Sequence, residues 1–467
     1  MGWLSVVALA GCGDDDDAGT AGAAGAAGTG PLTVTPEVIL ARGTCPAVTG
    51  AGTTHDHDIT ADETWSAAGG PHLVTQSLTL RATVTIEPCA EVRVAPGMAL
   101  SVGTSSEVGA LVARGTATTT EVHPIVFVAS DATSPWAQLL VDAKGTLDLA
   151  VAAVVQGGGG SVSTPGALVL RGVALGTNPG DVTRHATLDR VVIERSASYG
   201  LTLEGWGAPT EASTSVWIRN GGSDTRPYAV KIEPGVASTL PPGLTASGNR
   251  QDAILMQSSK AFTRTDRLVD HGLPYHQEDT LRINPAADGE PATLTIDPGV
   301  TLAFGKNAGV IVGSGPLRQG VLVADGTSSP ILFTSSSSAP VAGDWGNVTF
   351  AYTPLTGNRM ANVRVTYAGG DSQTSSFGCG PVDNDAAVII RGQGGDLTPP
   401  GEVFITGSSF DSIAGTTVIV SGWVDDEGPN FSEGNTFGGA TPGCKVSRPR
   451  RHGPGDACED RTTCWGG

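Results

Sequence analysis

Between Thr293 and Phe350 the apolar residues fall on every second position. Leu294, Ile296, Val300, Leu302 and Phe304 alternate with polar or small neighbours, broken by one turn at Asp297-Pro298-Gly299. A period of two belongs to strands with one buried face, and a helical period does not fit it. Each apolar run lasts four to six residues and ends in Pro-Gly, Gly-Lys-Asn, Asp-Gly-Thr or Ser-Ser-Pro, so the chain turns after nearly every strand. Many short strands of one design, repeating every ~20 residues, predict a solenoid, because one rung cannot bury its apolar face until a neighbour stacks on it.

The same pattern occurs twice. VTIEPCAEVRVAPGMALSVG at 84–103 corresponds to LTIDPGVTLAFGKNAGVIVG at 294–313, GALVARGT to GVLVADGT, and PIVFVAS to PILFTSS. Gly69 pairs with Gly272, Pro71 with Pro274, Trp136 with Trp345, ALVLRG at 167–172 with AVIIRG at 387–392, and Gly205-Trp206 with Gly422-Trp423. The matches keep their order at offsets between 203 and 220 residues, which predicts two tandem copies of a ~200-residue unit, 55–250 and 254–440. Leu78, Leu80, Val84, Ile86, Val92, Val94, Leu100 and Val102 are expected to form an inner ladder that Ile296, Leu302 and Phe304 continue. Sixteen to eighteen rungs at ~4.8 Å would give a rod of roughly 75 to 85 Å. Its ends need covers, for which residues 31–58 and the tail from Asn435, with a Cys-rich stretch at 441–467, are the candidates.

The run T-L-T-I-D-P-G-V-T-L-x-F, followed by G-V-L-V-A-D-G-T, P-I-L-F-T and D-W-G-N-V-x-F, resembles right-handed parallel β-helix proteins of the pectate-lyase-like type, and among them bacterial surface lipoproteins. The resemblance covers roughly residues 55 to 440. It implies an all-β fold, a right-handed parallel β-helix solenoid. Function is left open, since that architecture hosts polysaccharide lyases, glycoside hydrolases, adhesins and passive surface proteins.

Composition fits turn-rich β structure: 66 of 467 residues are Gly and 16% are charged, against typical fractions of ~7% and ~25%. A formal charge of -19 excludes nucleic acid as the expected partner, because phosphate binding needs a Lys/Arg surface. Residues 1–12 read as a lipoprotein signal peptide, in which Trp3 to Ala10 form a short apolar run and Leu9-Ala10-Gly11-Cys12 resembles a lipobox, although no Lys or Arg precedes the run. Lipidation of Cys12 would anchor the chain to a membrane of the bacterial cell envelope, at the outer surface or in the periplasm. Residues 13–30, rich in Asp, Gly and Ala, are too small and polar to bury a core and predict a flexible tether.

Six cysteines remain, Cys45, Cys89, Cys379, Cys444, Cys458 and Cys464; an even number in an exported chain predicts disulfides. Cys45 with Cys89 and Cys458 with Cys464 are the expected pairs. No C-x-x-C pair supports zinc. Comparing the copies isolates residues the scaffold does not require. Asp383-Asn384-Asp385 stands where the first copy has SVST, and Asp425-Asp426-Glu427 follows Gly422-Trp423 where the first copy has no carboxylate. These oxygen-rich loops are the candidate Ca2+ sites, with solvated acidic turns as the plainer reading. His55-Asp56-His57-Asp58 holds ligand-type residues in a lead-in segment where little order is expected. Trp136, Trp345, Trp206 and Trp423 read as rung packing in preference to sugar platforms. Outward strand positions are mostly Thr, Ser and Ala, and no Gly-x-Ser-x-Gly elbow, phosphate loop or H-E-x-x-H is present. No catalytic residue is assigned. The expected function is a non-catalytic surface scaffold for adhesion or for contact with polysaccharide or an envelope protein, with a β-helix lyase or hydrolase as the alternative.

Overall fold

A computed structural model describes residues 33–160, 163–174, 182–256, 261–352, 354–371, 385–390, 403–421, 429–447 and 464–465. The fold is an all-β parallel β-helix solenoid. Its spine is a sheet of thirteen parallel strands running from Leu78–Leu80 to Thr436–Phe437. Around it, the first half of the chain builds a twelve-stranded sheet folded into two flanks, and the second half builds separate sheets of eight and five strands. Strand Gly145–Val155 shows how the two flanks join: its first residues pair with Gly109–Arg114, and its last with Ile125–Ala129. Between them Val151 takes φ 46°, a left-handed kink that turns the chain around the corner.

The inward positions behave as the alternation predicts. All eleven residues named above, from Leu78 to Phe304, are buried to 2% exposure or less and belong to one continuous apolar core. They do not form one ladder, however. Val92 pairs with His72 and Phe127 on a flank of the first half, whereas its sequence match Leu302 pairs with Tyr275 and Phe333 on the spine. Likewise Leu100 lies on the spine and its match Val310 on the eight-stranded sheet. Matched segments are thus displaced by one face around the coil. The spine's turns also vary, from 21 residues between Leu78 and Ala99 to 46 between Val363 and Ser409. Long turns spend residues on corners, so the described residues form fewer rungs than sixteen to eighteen, and the thirteen strands of the spine at ~4.8 Å span about 58 Å.

Positions matched in sequence make matched bonds. Trp136 Nε1 donates to the Val155 carbonyl at 2.8 Å, and Trp345 Nε1 to the Thr366 carbonyl at 2.7 Å. Gly159 N donates to Trp136 O and Gly370 N to Trp345 O. Left-handed corners recur at Val151 and Asn362, and at Gln156 and Tyr367, each pair 211 residues apart. At Gly109 and Gly320 a Cβ would stand 1.9 and 2.0 Å from the carbonyl oxygens of Leu80 and Ile283, so no larger residue fits either corner.

The ends depart from expectation. Of the stretch 31–58 expected at the end, Thr53–His55 is the outermost strand of the first-half sheet, whereas helix Pro36–Leu40 lies on the flank of the coil, with Ile39 fully buried among Val122, Val126, Val151, Ala153 and Val192. Arg42 pairs with Glu91 and donates to Cys89 O at 2.9 Å, and the disulfide Cys45–Cys89 fastens the segment. At the other end Cys464 bonds Cys444, not Cys458. Strand Cys464–Trp465 runs antiparallel to Cys444–Ser447, bringing those two cysteine Cα atoms to 5.3 Å, where nearness in sequence had favoured Cys458. The returning strand covers an edge of the eight-stranded sheet. Cys379 and Cys458 lie outside the described residues, as do Cys12 and the tether at 13–30.

Trp136 and Trp345 are both fully buried and both donate to a carbonyl. Replacing either by Ala is therefore expected to cost about 3–5 kcal/mol, read as a drop in the urea midpoint. A loss below about 1 kcal/mol at either site would contradict their shared role as rung fillers.

Candidate functional site

The outer face of the spine carries a chemistry that its alternation positions. In strand Tyr228–Ile232, Ala229, Val230 and Ile232 are buried in the core, which leaves Lys231 outside. In-register stacking then builds rows across rungs: Thr202, Lys231, Leu255 and His276 stand opposite one another in turn, and Arg171 stands opposite Glu204. Tyr199, just before strand Leu201–Glu204, and Tyr228 lay their rings on Ala253 and Leu255, making a second apolar layer outside the sheet.

Polar groups surround those rings. The Tyr228 hydroxyl donates to Glu278 Oε1 at 2.9 Å, and His276 meets the Tyr228 ring edge-on at 5.3 Å. Lys231 Nζ lies 5.8 Å from the Tyr199 ring centroid. Arg171 Nε donates to Glu204 Oε2 at 2.7 Å, and Thr164 Oγ1, which receives Arg171 Nη2 at 2.8 Å, donates to the same oxygen at 2.6 Å. Burial pushes the Lys231 ammonium below its ordinary pKa, against the opposite pull of Glu204 and Glu233. Burial and then the Glu278 carboxylate raise both tyrosine hydroxyls. Burial alone would raise Glu204, but the hydrogen bonds from Thr164 and Arg171 outweigh it and hold the carboxyl low. Burial lowers His276 to about 4. The face therefore offers neutral phenols, fixed carboxylates and one partly desolvated amine beside apolar rings, a set suited to hydroxyl-rich ligands.

The residues proposed from sequence fare differently. Asp383, Asn384, Asp425, Asp426 and Glu427 lie outside the described residues, and Asp385 is half-buried just before strand Val388–Ile390. Among the described residues no group of three or more His, Cys, Asp or Glu side chains is placed to hold a metal. The lead-in segment is ordered, contrary to expectation, and it scatters its four residues. His55 is buried against Trp65, His57 is exposed beside Asp56, and Asp58 accepts from Thr79 N at 2.7 Å. Trp136, Trp206 and Trp345 are buried packing, as the copies suggest, while Trp423 lies outside the described residues.

Sequence reasoning did not single out Tyr199, Tyr228, Lys231, Glu204, Glu278 or His276. The available signal was the contrast of Lys231 and Glu233 in Y-A-V-K-I-E with the small hydroxyl residues at most outward positions. Comparison with family models, with curated proteins and with solved structures finds no match to this chain.

His185 and His276, each held at about 4, are uncharged when folded and take up protons on unfolding between pH 6.5 and 4. The unfolded state binds more protons in that window, so stability falls as pH drops through it, by at most about 1.4 kcal/mol per pH unit per histidine. Urea unfolding at pH 7, 6 and 5 should show the decline, and His276→Gln should make it shallower while His185 still contributes. A slope unchanged in that variant would contradict the assignment of His276.

Proposed function

We propose that this chain is a non-catalytic, exported scaffold of two tandem β-helix copies, lipid-anchored at Cys12, whose spine face at Tyr199, Tyr228 and Lys231 contacts an envelope polysaccharide. The observation that carries the reading is the pair of tyrosine rings flanked by Lys231, Glu204 and Glu278 on a rigid sheet. Aromatic faces stack on the C–H faces of sugar rings, and phenols and carboxylates take up the hydroxyls. The overall charge of -19 disfavours polyuronates and favours neutral or amino-sugar polymers. The matched tryptophan bonds and left-handed corners support the two copies.

The test is binding of the purified protein to neutral, aminated and uronate polysaccharides, with and without Ca2+. Tyr199→Ala with Tyr228→Ala should weaken binding at least tenfold; because the rings are only 8% and 7% exposed the pair also lowers the urea midpoint, so binding is measured below the unfolding transition. Unchanged binding would remove this face from the function. Cys12→Ala should release the protein from membranes, and continued membrane association would count against the anchor. A second reading, a lyase or hydrolase, is favoured by one feature: Lys231 stands as a partly buried amine beside the Glu204 and Glu233 carboxylates, groups that proton-transfer chemistry uses. Product release that disappears in Lys231→Ala would replace the binding reading with that one.

A further inference from the structure

On a different flank, helix Pro36–Leu40 covers only part of the first-half sheet. The outward row under it runs Val126, Ala153, Val192, Trp217 and Thr245, one residue per rung. The helix packs over Val126, Ala153 and Val192, and Trp217 sits at the margin of that packing. Beyond the margin an open trough of about 410 Å³ lies between Glu37 on the helix and Trp217, Arg219, Thr245 and Ser247 on the sheet. A volume of that order is in the range of small-ligand clefts, ~300–1,000 Å³.

Trp217 stands apart from the other tryptophans whose burial is described. Trp65, Trp136, Trp206 and Trp345 are each at most 2% exposed, whereas Trp217 is partly open to solvent. Its neighbours are polar and fixed. Arg219 pairs with Glu37 across the trough and lies 3.5 Å from Glu194, which in turn accepts from Asn220 Nδ2 at 2.8 Å. Parallel register sets Thr245 beside Trp217 and Ser247 beside Arg219 on the next rung, both exposed. The one cation already faces two carboxylates, so nothing here attracts an anion. An aromatic surface with hydroxyls a single rung away, ~4.8 Å, suits the apolar face and ring hydroxyls of an uncharged sugar.

We infer that the trough between Glu37 and Ser247 is a second binding site, taking one uncharged pyranose unit of a glycan against Trp217, separate from the spine face. The site is tested on the full chain with cellohexaose and chitohexaose as probes, by calorimetry and by quenching of tryptophan emission. At least one probe should bind and quench. Trp217→Ala should weaken that binding at least tenfold. Ser247→Arg fills the trough from an exposed rim position that plays no part in the core, and should do the same without lowering the urea midpoint. The pair Tyr199→Ala and Tyr228→Ala should leave quenching at this site within twofold of the parent. Binding unchanged in Ser247→Arg, or no binding of either probe, overturns the second site. Loss of all binding in the tyrosine variants alone would overturn it while leaving the spine face standing.

Discussion

Each rung of this coil buries its inward side chains only against the rungs above and below, and the bond that holds those rungs in place is the in-register parallel backbone ladder. Leu139 meets Leu100 on one side and Leu168 on the other, and Leu302 meets Tyr275 and Phe333 in the same way. Burying a large aliphatic side chain contributes roughly 1.5–3 kcal/mol, less than the ordering of the residues that carry it. No rung is stable by itself, and stability accumulates along the axis. The same register fixes the outside. Whatever stands outward on one strand is set about 4.8 Å from its counterpart on the next, so Thr202, Lys231, Leu255 and His276 line up without any contact of their own to arrange them.

The displacement of the second half by one face follows from that constraint. The spine passes unbroken from Tyr228–Ile232 through Gln251–Met256 to Tyr275–Gln277, while the first-half flank ends at Gly243–Ser247. The junction is built from specific bonds: Asp266 accepts from Ala237 N at 3.2 Å and Ser238 N at 3.3 Å, and Arg264 stacks on Trp206 at 4.3 Å. Hydrogen bonds to a buried carboxylate are among the stronger ones a fold can use. They tie the turn at Ala237–Thr239 to strand Asp266–Leu268, the first of the five-stranded sheet of the second half.

The fold was legible in the chain because its cause is local. Alternation in Leu294 to Phe304 marks one-sided strands, and every inward residue named from it is buried. Cys45–Cys89 was legible too, whereas Cys444–Cys464 depends on a strand that doubles back, which no spacing reveals. The spine face was not legible for a different reason. Its groups come from several rungs, from Thr164 to Glu278, and each alone is an ordinary polar residue. Only the register brings them together, and register requires knowing that each turn takes between 21 and 46 residues. Helix Pro36–Leu40 was missed because five residues carry too little periodicity to show which flank they cover.

The outward charges sharpen what these faces can select. Many are paired across neighbouring rungs: Arg81 with Glu107, Arg114 with Asp148, Arg267 with Asp297, and Arg359 with Asp325. These pairs are exposed, and such pairs contribute only about 0–1 kcal/mol each, so they do little to hold the coil. What they do is neutralise those cations locally. The excess carboxylates that remain give the rod a negative field which repels anionic polymers and leaves neutral ligands unaffected. On the proposed reading, selection on the tyrosine face would then fall to shape and hydrogen bonding, where an acceptor such as Glu278, already engaged by Tyr228, would favour a ligand hydroxyl in register with the rungs over a group recognised by charge.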